Sequence, residues 1–356
     1  MLLLSICIPS YNRFTSLNVA VKLMLKAESR DFEIIILDNK SPNDIEKEII
    51  IHDKRLHFIK QESAVNANEN IRDCLLYATG KYAMICLDKD SINGRMLDEF
   101  LQVIRQNPKI CGGCCIQNKI SKENKIEIYD HDQILKFGYL YLGKHPSGDF
   151  YRTEYMNEDI KLLSEKALNS GFISDLILAR CASHGSMLFY DKPLVFLEKS
   201  KTAAKIKSYT YSGKNNNVYF YPNKRKEQFS VYIDHMKSLY ITHKLWKKLL
   251  EKIYVQKIIQ VTFGFRDVMR LKDACTHYDL TVRNITLKEM FHYWIDFNNY
   301  FLKSDLNDLS KYSKLYIIIK SNLMLVKKFI DKKLCYSSCR RNVFMNKLLI
   351  GKNSIR

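Results

Sequence analysis

Residues 84–92 read MICLDKDSI, an apolar run that ends in two aspartates one residue apart, Asp88 and Asp90. Carboxylate oxygens are hard donors, and a divalent cation held by them keeps coordination positions open for phosphate oxygens and water. If the segment is extended, side chains two apart point the same way, so Asp88 and Asp90 could face one ion and a ribose. The same spacing also suits a solvated turn. Other phosphate cradles are missing from the sequence: no GxGxxG follows the first apolar run and no complete GxxxxGK[ST] occurs anywhere. That argues against a dinucleotide-dependent oxidoreductase and a P-loop ATPase.

Four strand-like runs in the first hundred residues would position the pair. LLLSICI (2–8) precedes a helical pattern from about Thr15 carrying Leu17, Ala20, Val21, Met24 and Ala27. EIIILD (33–38) precedes SPND, in which Ser41 is expected to cap a helix and Pro42 to occupy its first turn. LHFIK (56–60) precedes a helix with Ile71, Cys74, Leu75 and Ala78, closed by Gly80. YAMICLD (82–88) precedes one with Met96, Leu97, Phe100, Leu101 and Ile104 that stops at Pro108. Continuous apolar strands alternating with helices predict a largely parallel sheet covered on both faces, with ligands at the carboxyl ends of its strands. Polar residues follow three of those ends, at Ser10–Arg13, Asp38–Asp44 and Asp88–Asp90.

Beyond Pro108 come the shorter apolar pieces ICGGCCI, KIEIY and FGYLYLG, a clear helix SDLILARCASHG ending at Gly185, and an extended MLFYDKPLVFL. Residues 199–226 hold eight basic residues and no acid, interleaved with Tyr209, Tyr211, Tyr219, Phe220 and Tyr221, which predicts a mobile basic-aromatic loop. From about Gln228 the pattern is helical almost to the end.

In its order and spacing, the stretch from Leu2 to Leu197 resembles family 2 glycosyltransferases of the GT-A fold, on SICIPSYNR, EIIILDNKSPND, ENIRDCLLYATGKYAMICLDKD and SDLILARCASHG followed by YDKPLV. The resemblance implies an α/β fold, a Rossmann-like mixed, mostly parallel sheet flanked by helices, with a C-terminal helical region. It divides the chain into a catalytic and nucleotide-sugar-binding domain (1–198), the basic-aromatic loop (199–227) and a basic helical region (228–356). It also implies that Pro9, Tyr11 and Arg13 lie along the nucleotide, that Asp38 bonds the base and that Asn70 lines the pocket. Asp88 would face the ribose, with Asp90 as ligand to Mn2+ or Mg2+, and Asp175 would be the general base of an inverting displacement. This chain departs from the family pattern at Lys89 inside the DxD, at Asn39 and Asn66, and at Ser174, where the family has Glu. A helix N-terminus disfavours a basic carboxylate, so burial or substrate must offset the dipole if Asp175 is the base.

The 356 residues carry 57 Lys and Arg against 38 Asp and Glu, a net charge of +19, which points to phosphate-bearing or anionic partners. Residues 311–356 alone hold twelve basic residues and one acid, Asp331. A basic, apolar-faced helix suits an anionic inner-membrane surface, and the resemblance implies an acceptor glycan on a polyprenyl diphosphate, as in O-antigen or capsule assembly. A nucleic-acid-binding protein or a non-catalytic assembly scaffold is the alternative; no nucleic-acid recognition motif is present, so no nucleic-acid partner is expected. MLLLSICIPSYNR lacks a basic n-region and a cleavage site, and no apolar run reaches the roughly 20 residues of a membrane span. The expectation is a cytoplasmic protein peripheral to the inner face of the cell membrane. Ten cysteines without an export signal suggest reduced thiols, CGGCC (111–115) included, since Cys335 and Cys339 have the wrong spacing for the other half of a zinc site.

Overall fold

The computed structural model describes residues 2–117, 125–170, 172–197, 218–306 and 309–335. The chain divides into two compact units, one of residues 1–140 and 145–210, the other of 141–144 and 211–356.

The first unit is built on a nine-stranded mixed sheet flanked by helices. Its first half comprises β1 (Leu4–Ser10), β2 (Phe32–Asp38), β3 (Leu56–Lys60) and β4 (Tyr82–Ile85), joined by α1 (Phe14–Met24), α2 (Ile45–Glu48) and α3 (Ala67–Leu76). These strands stand in the order β3-β2-β1-β4 and all pair in parallel. Every residue of β1, β2 and β4 is buried, which is why they are continuous apolar runs without alternation.

The second half holds β5 (Ser91–Ile92), α4 (Gly94–Gln106), β6 (Ile110–Gln117), β7 (Ile126–Tyr129), α5 (Ile134–Phe137), β8 (Asp149–Arg152), α6 (Thr153–Leu162), α7 (Glu165–Ser170), α8 (Ile173–His184) and β9 (Ser186–Phe196). Here β8 enters antiparallel between β4 and β6, and β9 lies parallel to β6 but antiparallel to β5 and β7. Helix α4 seats Leu97, Phe100, Leu101 and Ile104 in the core, and Phe100 meets Phe150 and Tyr190 edge-on at 5.1 and 5.3 Å. Each such side chain contributes about 1.5–3 kcal/mol on burial. Cys111, Cys114 and Cys115 lie buried in β6 as thiols outside any disulfide, and burial pushes the Cys111 thiol up.

The expected cap at Ser41 and first turn at Pro42 are not what begins α2: Asp44 caps it, accepting from the Glu46 N–H at 3.2 Å. Ser41 is taken by the site, because both its N–H and its hydroxyl donate to Asp38.

The second unit is helical: α9 (Pro222–Met236), α10 (His243–Ile259), a π-turn at Gln260–Gly264, α11 (Phe265–Met269), α12 (Lys272–His277), α13 (Leu287–Lys303) and α14 (Lys311–Cys335). Residues 198–217, most of the expected basic-aromatic loop, lie outside the described residues. Its far end is folded rather than mobile, because Val218 and Phe220 are buried with Phe265 and Val268, and Pro222 starts α9. Residues 336–356, with Cys339 and the last basic residues of the tail, also lie outside the described residues.

Candidate active site

The carboxyl ends of β1, β2 and β4 bring their polar loops to one edge. The β4 run turns sooner than the sequence implies. Asp88 and Lys89 lie in a turn closed by the Asp90 N–H donating to the Leu87 carbonyl at 2.8 Å, so the extended-strand reason for pairing the two acids does not hold. The turn gives each carboxylate its own partners.

Asp88 is buried and held from the loop that follows β1. The Tyr11 N–H donates to its Oδ2 at 3.0 Å, and Arg13 Nη1 donates to Oδ1 and Oδ2 at 3.0 and 3.2 Å. Burial raises the Asp88 carboxyl above its ordinary value, with Arg13, the Tyr11 N–H and Lys89 pulling it back down. Asn12, between these two partners, takes φ 51°, a left-handed conformation that Asn tolerates, and its N–H donates to Ser41 Oγ at 2.8 Å.

Asp90 is buried and held from the segment before β8. Ser147 Oγ donates to Asp90 Oδ2 at 2.6 Å and accepts from the Leu87 N–H at 2.9 Å. His145 Nε2 stands 3.3 Å from the same Oδ2. Neither Ser147 nor His145 was among the sequence candidates. The available signal was KHPSGD, a polar turn between apolar pieces, with no spacing that ties it to residue 90. Among the described residues, no group of three or more His, Cys, Asp and Glu side chains could hold a metal ion.

Asp38 is fully buried at the end of β2, accepting from the Ser41 N–H at 3.0 Å and from the Ser41 hydroxyl. Pro9 lies within buried β1. Asn70 is buried on α3, and Gln61 Nε2 donates to its Oδ1 at 3.5 Å. Two departures from the family pattern have structural uses. Asn39 Nδ2 donates to the Val65 carbonyl and its Oδ1 accepts from the Val65 N–H, both at 2.9 Å. Asn66 caps α3 in a reciprocal capping box with Glu69.

Asp175 lies in the first turn of α8 and is fully buried. Tyr151 reaches the same turn, its hydroxyl donating to the Ser174 carbonyl at 3.5 Å, and burial, then the charges of Asp149 and Asp175 among others, push its phenol up. Strand β8 begins two residues after the Asp90 partner Ser147 and carries Tyr151, and so links the turn of the two acids to the start of α8. Below Asp175, Arg180 Nε donates to Asp159 Oδ1 at 3.1 Å, a buried ion pair that joins α8 to α6.

The parallel half-sheet, the acidic turn at its carboxyl edge and the antiparallel β8 define the class as a GT-A fold. Residues 5–163, a little under half of the chain, match the family model described as Glycosyl transferase family 2. An uncharacterized glycosyltransferase of Haemophilus influenzae is 30% identical over 112 residues, 30% of this chain and 36% of that one. The GalNAc(5)-diNAcBac-PP-undecaprenol beta-1,3-glucosyltransferase of Campylobacter jejuni is 27% identical over 128 residues, 34% of this chain and 41% of that one. The match thus spans well under half of either relative. Among solved structures, S. aureus TarS 1-349 superposes with a TM-score of 0.58 at 13% identity, over 85% of this chain and 80% of that one. Its complex with UDP-GlcNAc gives 0.59 at 12% identity, over 84% and 81%.

Proposed function

We propose that the protein transfers a sugar, with inversion, from a nucleoside-diphosphate sugar to a hydroxyl of a lipid-linked surface polysaccharide. The observation that carries this reading is the Leu87–Asp90 turn, whose two buried carboxylates are each clasped by a different loop at the carboxyl edge of the sheet. In this reading Arg13, Tyr11, Asp38 and Asn70 line the nucleotide, and the Arg13–Asp88 pair fixes where the ribose sits. Asp90 offers a hard oxygen donor suited to Mn2+ or Mg2+. Such a cation, when bound, neutralises negative charge growing on the departing diphosphate. Asp175 takes the proton from the acceptor hydroxyl. The UDP-GlcNAc complex of the S. aureus neighbour supports a nucleotide-sugar donor, and the C. jejuni relative's name supports an acceptor on undecaprenyl diphosphate.

A peripheral membrane location is part of the proposal. Among the described residues no helix is long and apolar enough to cross a membrane. On α14, however, Tyr312, Tyr316, Ile319 and Leu323 are each more than half exposed and recur at helical spacing, an apolar stripe suited to the headgroup boundary. Two of the helix's lysines are occupied within the protein: Lys314 donates to the Ser304 carbonyl at 2.6 Å, and Lys320 pairs with Glu251 at 2.5 Å.

A thermal-shift panel of UDP, dTDP, GDP and CDP, with and without Mn2+, tests the reading, because a ligand at 100 times its Kd adds about 2.7 kcal/mol to stability. At least one nucleotide should raise Tm further with Mn2+, and Asp90→Asn should remove the manganese increment. Asp175→Asn should keep the nucleotide shift and lose transfer. No shift with any nucleotide, or full transfer by Asp175→Asn, would overturn the assignment.

A further inference from the structure

We infer that a cavity in the helical unit binds a neutral sugar ring of the acceptor glycan, other than the ring that reacts; the choice of glycan rests on the transferase reading above. The cavity measures about 360 Å³, within the roughly 300–1,000 Å³ of small-molecule sites, and every residue that lines it belongs to the second unit. Its apolar side is an aromatic corner. Buried Phe265 lies 5.2 Å from Tyr221 between ring centroids, at 51°, and 5.5 Å from Tyr293, edge-on at 86°. Tyr221 and Tyr293 are half-buried, so each keeps part of its ring towards the cavity. A flat base is best sandwiched between two parallel faces, which a corner does not provide. A pyranose is puckered, with C–H bonds on one face and hydroxyls around its edge, and polarised C–H bonds are drawn to the negative face of an aromatic ring.

The polar side suits the hydroxyls. Asn223 in the first turn of α9, with Thr281 and Arg283 from the segment before α13, are exposed at the cavity. Arg283 is fixed at both ends: its N–H donates to the Met269 carbonyl at 3.0 Å, and its Nη2 stands 3.1 Å from Glu289 Oε1. Burial pushes the Tyr221 phenol up and the Arg283 guanidinium pulls it back, so the charge stands near a phenol that stays protonated at neutral pH. Glu289 already balances Arg283, and among the described residues no carboxylate lines the cavity. The rim therefore offers amide, hydroxyl and guanidinium groups to sugar hydroxyls rather than a bare cation to a phosphate.

The test is saturation-transfer NMR of the full chain with the methyl glycosides of glucose, galactose, N-acetylglucosamine and N-acetylgalactosamine, and with inorganic phosphate as competitor. At least one glycoside should receive saturation, strongest at its ring C–H protons, and phosphate should not displace it. Tyr293→Ala should weaken binding about two- to tenfold, the worth of one aromatic face. Asn223→Ala combined with Thr281→Val should weaken it as well, with Tm unchanged, because both positions are exposed. No saturation of any of the four glycosides, displacement by phosphate, or wild-type binding in the Asn223→Ala, Thr281→Val chain overturns the inference. The rim variant decides the matter even if Tyr293→Ala misfolds. Failure of the transferase reading shows separately, as absence of any nucleotide-dependent thermal shift while glycoside saturation persists.

Discussion

Arg13 spends one guanidinium nitrogen on both oxygens of Asp88, and the balance between that contact and burial sets the acid's behaviour. Because the folded Asp88 carboxyl titrates above its ordinary 3.8, the fold favours the protonated form. The sign follows by linkage: Asp88's contribution to stability falls as pH rises from 3.8 through its folded value. Arg13→Met removes the largest influence holding the carboxyl down, so its titration should move higher and Tm at pH 7 should fall more than Tm at pH 4. A carboxyl 13C titration of Asp88 checks this; an unmoved midpoint in the variant would refute the pairing. At this scale the sequence was legible where polar residues follow apolar strands, as at Asp38 and Asp88. Ser147 and His145 were not legible, since nothing in their spacing links a turn at residue 147 to a carboxylate at residue 90.

Among the elements, β1, β2 and β4 were readable because both faces of each are buried, leaving uninterrupted apolar runs. Strand β8 was not. It is four residues, Asp149–Arg152, and its place between β4 and β6 depends on pairing with both rather than on any local pattern. The approach to it bends through positive φ at Gly138, Tyr141, Gly143 and Gly148, and at Tyr141 no glycine announces the turn. Gly148, at φ 90°, places Ser147 under Asp90, and a Cβ there would stand 2.9 Å from Val195 Cγ2. Gly148→Ala should cost about 1–3 kcal/mol from backbone strain alone and loosen Ser147 from Asp90. Denaturant unfolding checks the first effect. A weaker manganese-dependent nucleotide shift checks the second, and wild-type values in both would show that the bend is not needed.

For the whole molecule, α14 cannot be deleted cleanly to test the membrane proposal. Ile317, Ile318 and Ser321 are buried, and Trp294 Nε1 donates to Asn322 Oδ1 at 2.8 Å, so removal would open the helical unit. Glutamate at Tyr316, Ile319 and Leu323 leaves those contacts in place. The triple variant should keep its Tm and sediment less with anionic liposomes than wild type; equal sedimentation would end the membrane role. The helical unit and its apolar face were legible from periodicity, but which apolar residues stay bare was not, because sequence alone does not separate a face that packs from one that is exposed. The division of the chain bears on how the protein comes apart. Residues 141–144 leave the sheet unit and count with the helices, where Tyr141 Oη meets His235 Nδ1 at 2.7 Å and Gln256 Nε2 donates to the Leu142 carbonyl at 2.9 Å. A fragment cut after residue 197 would therefore lose the anchors of the strap that leads into His145 and Ser147.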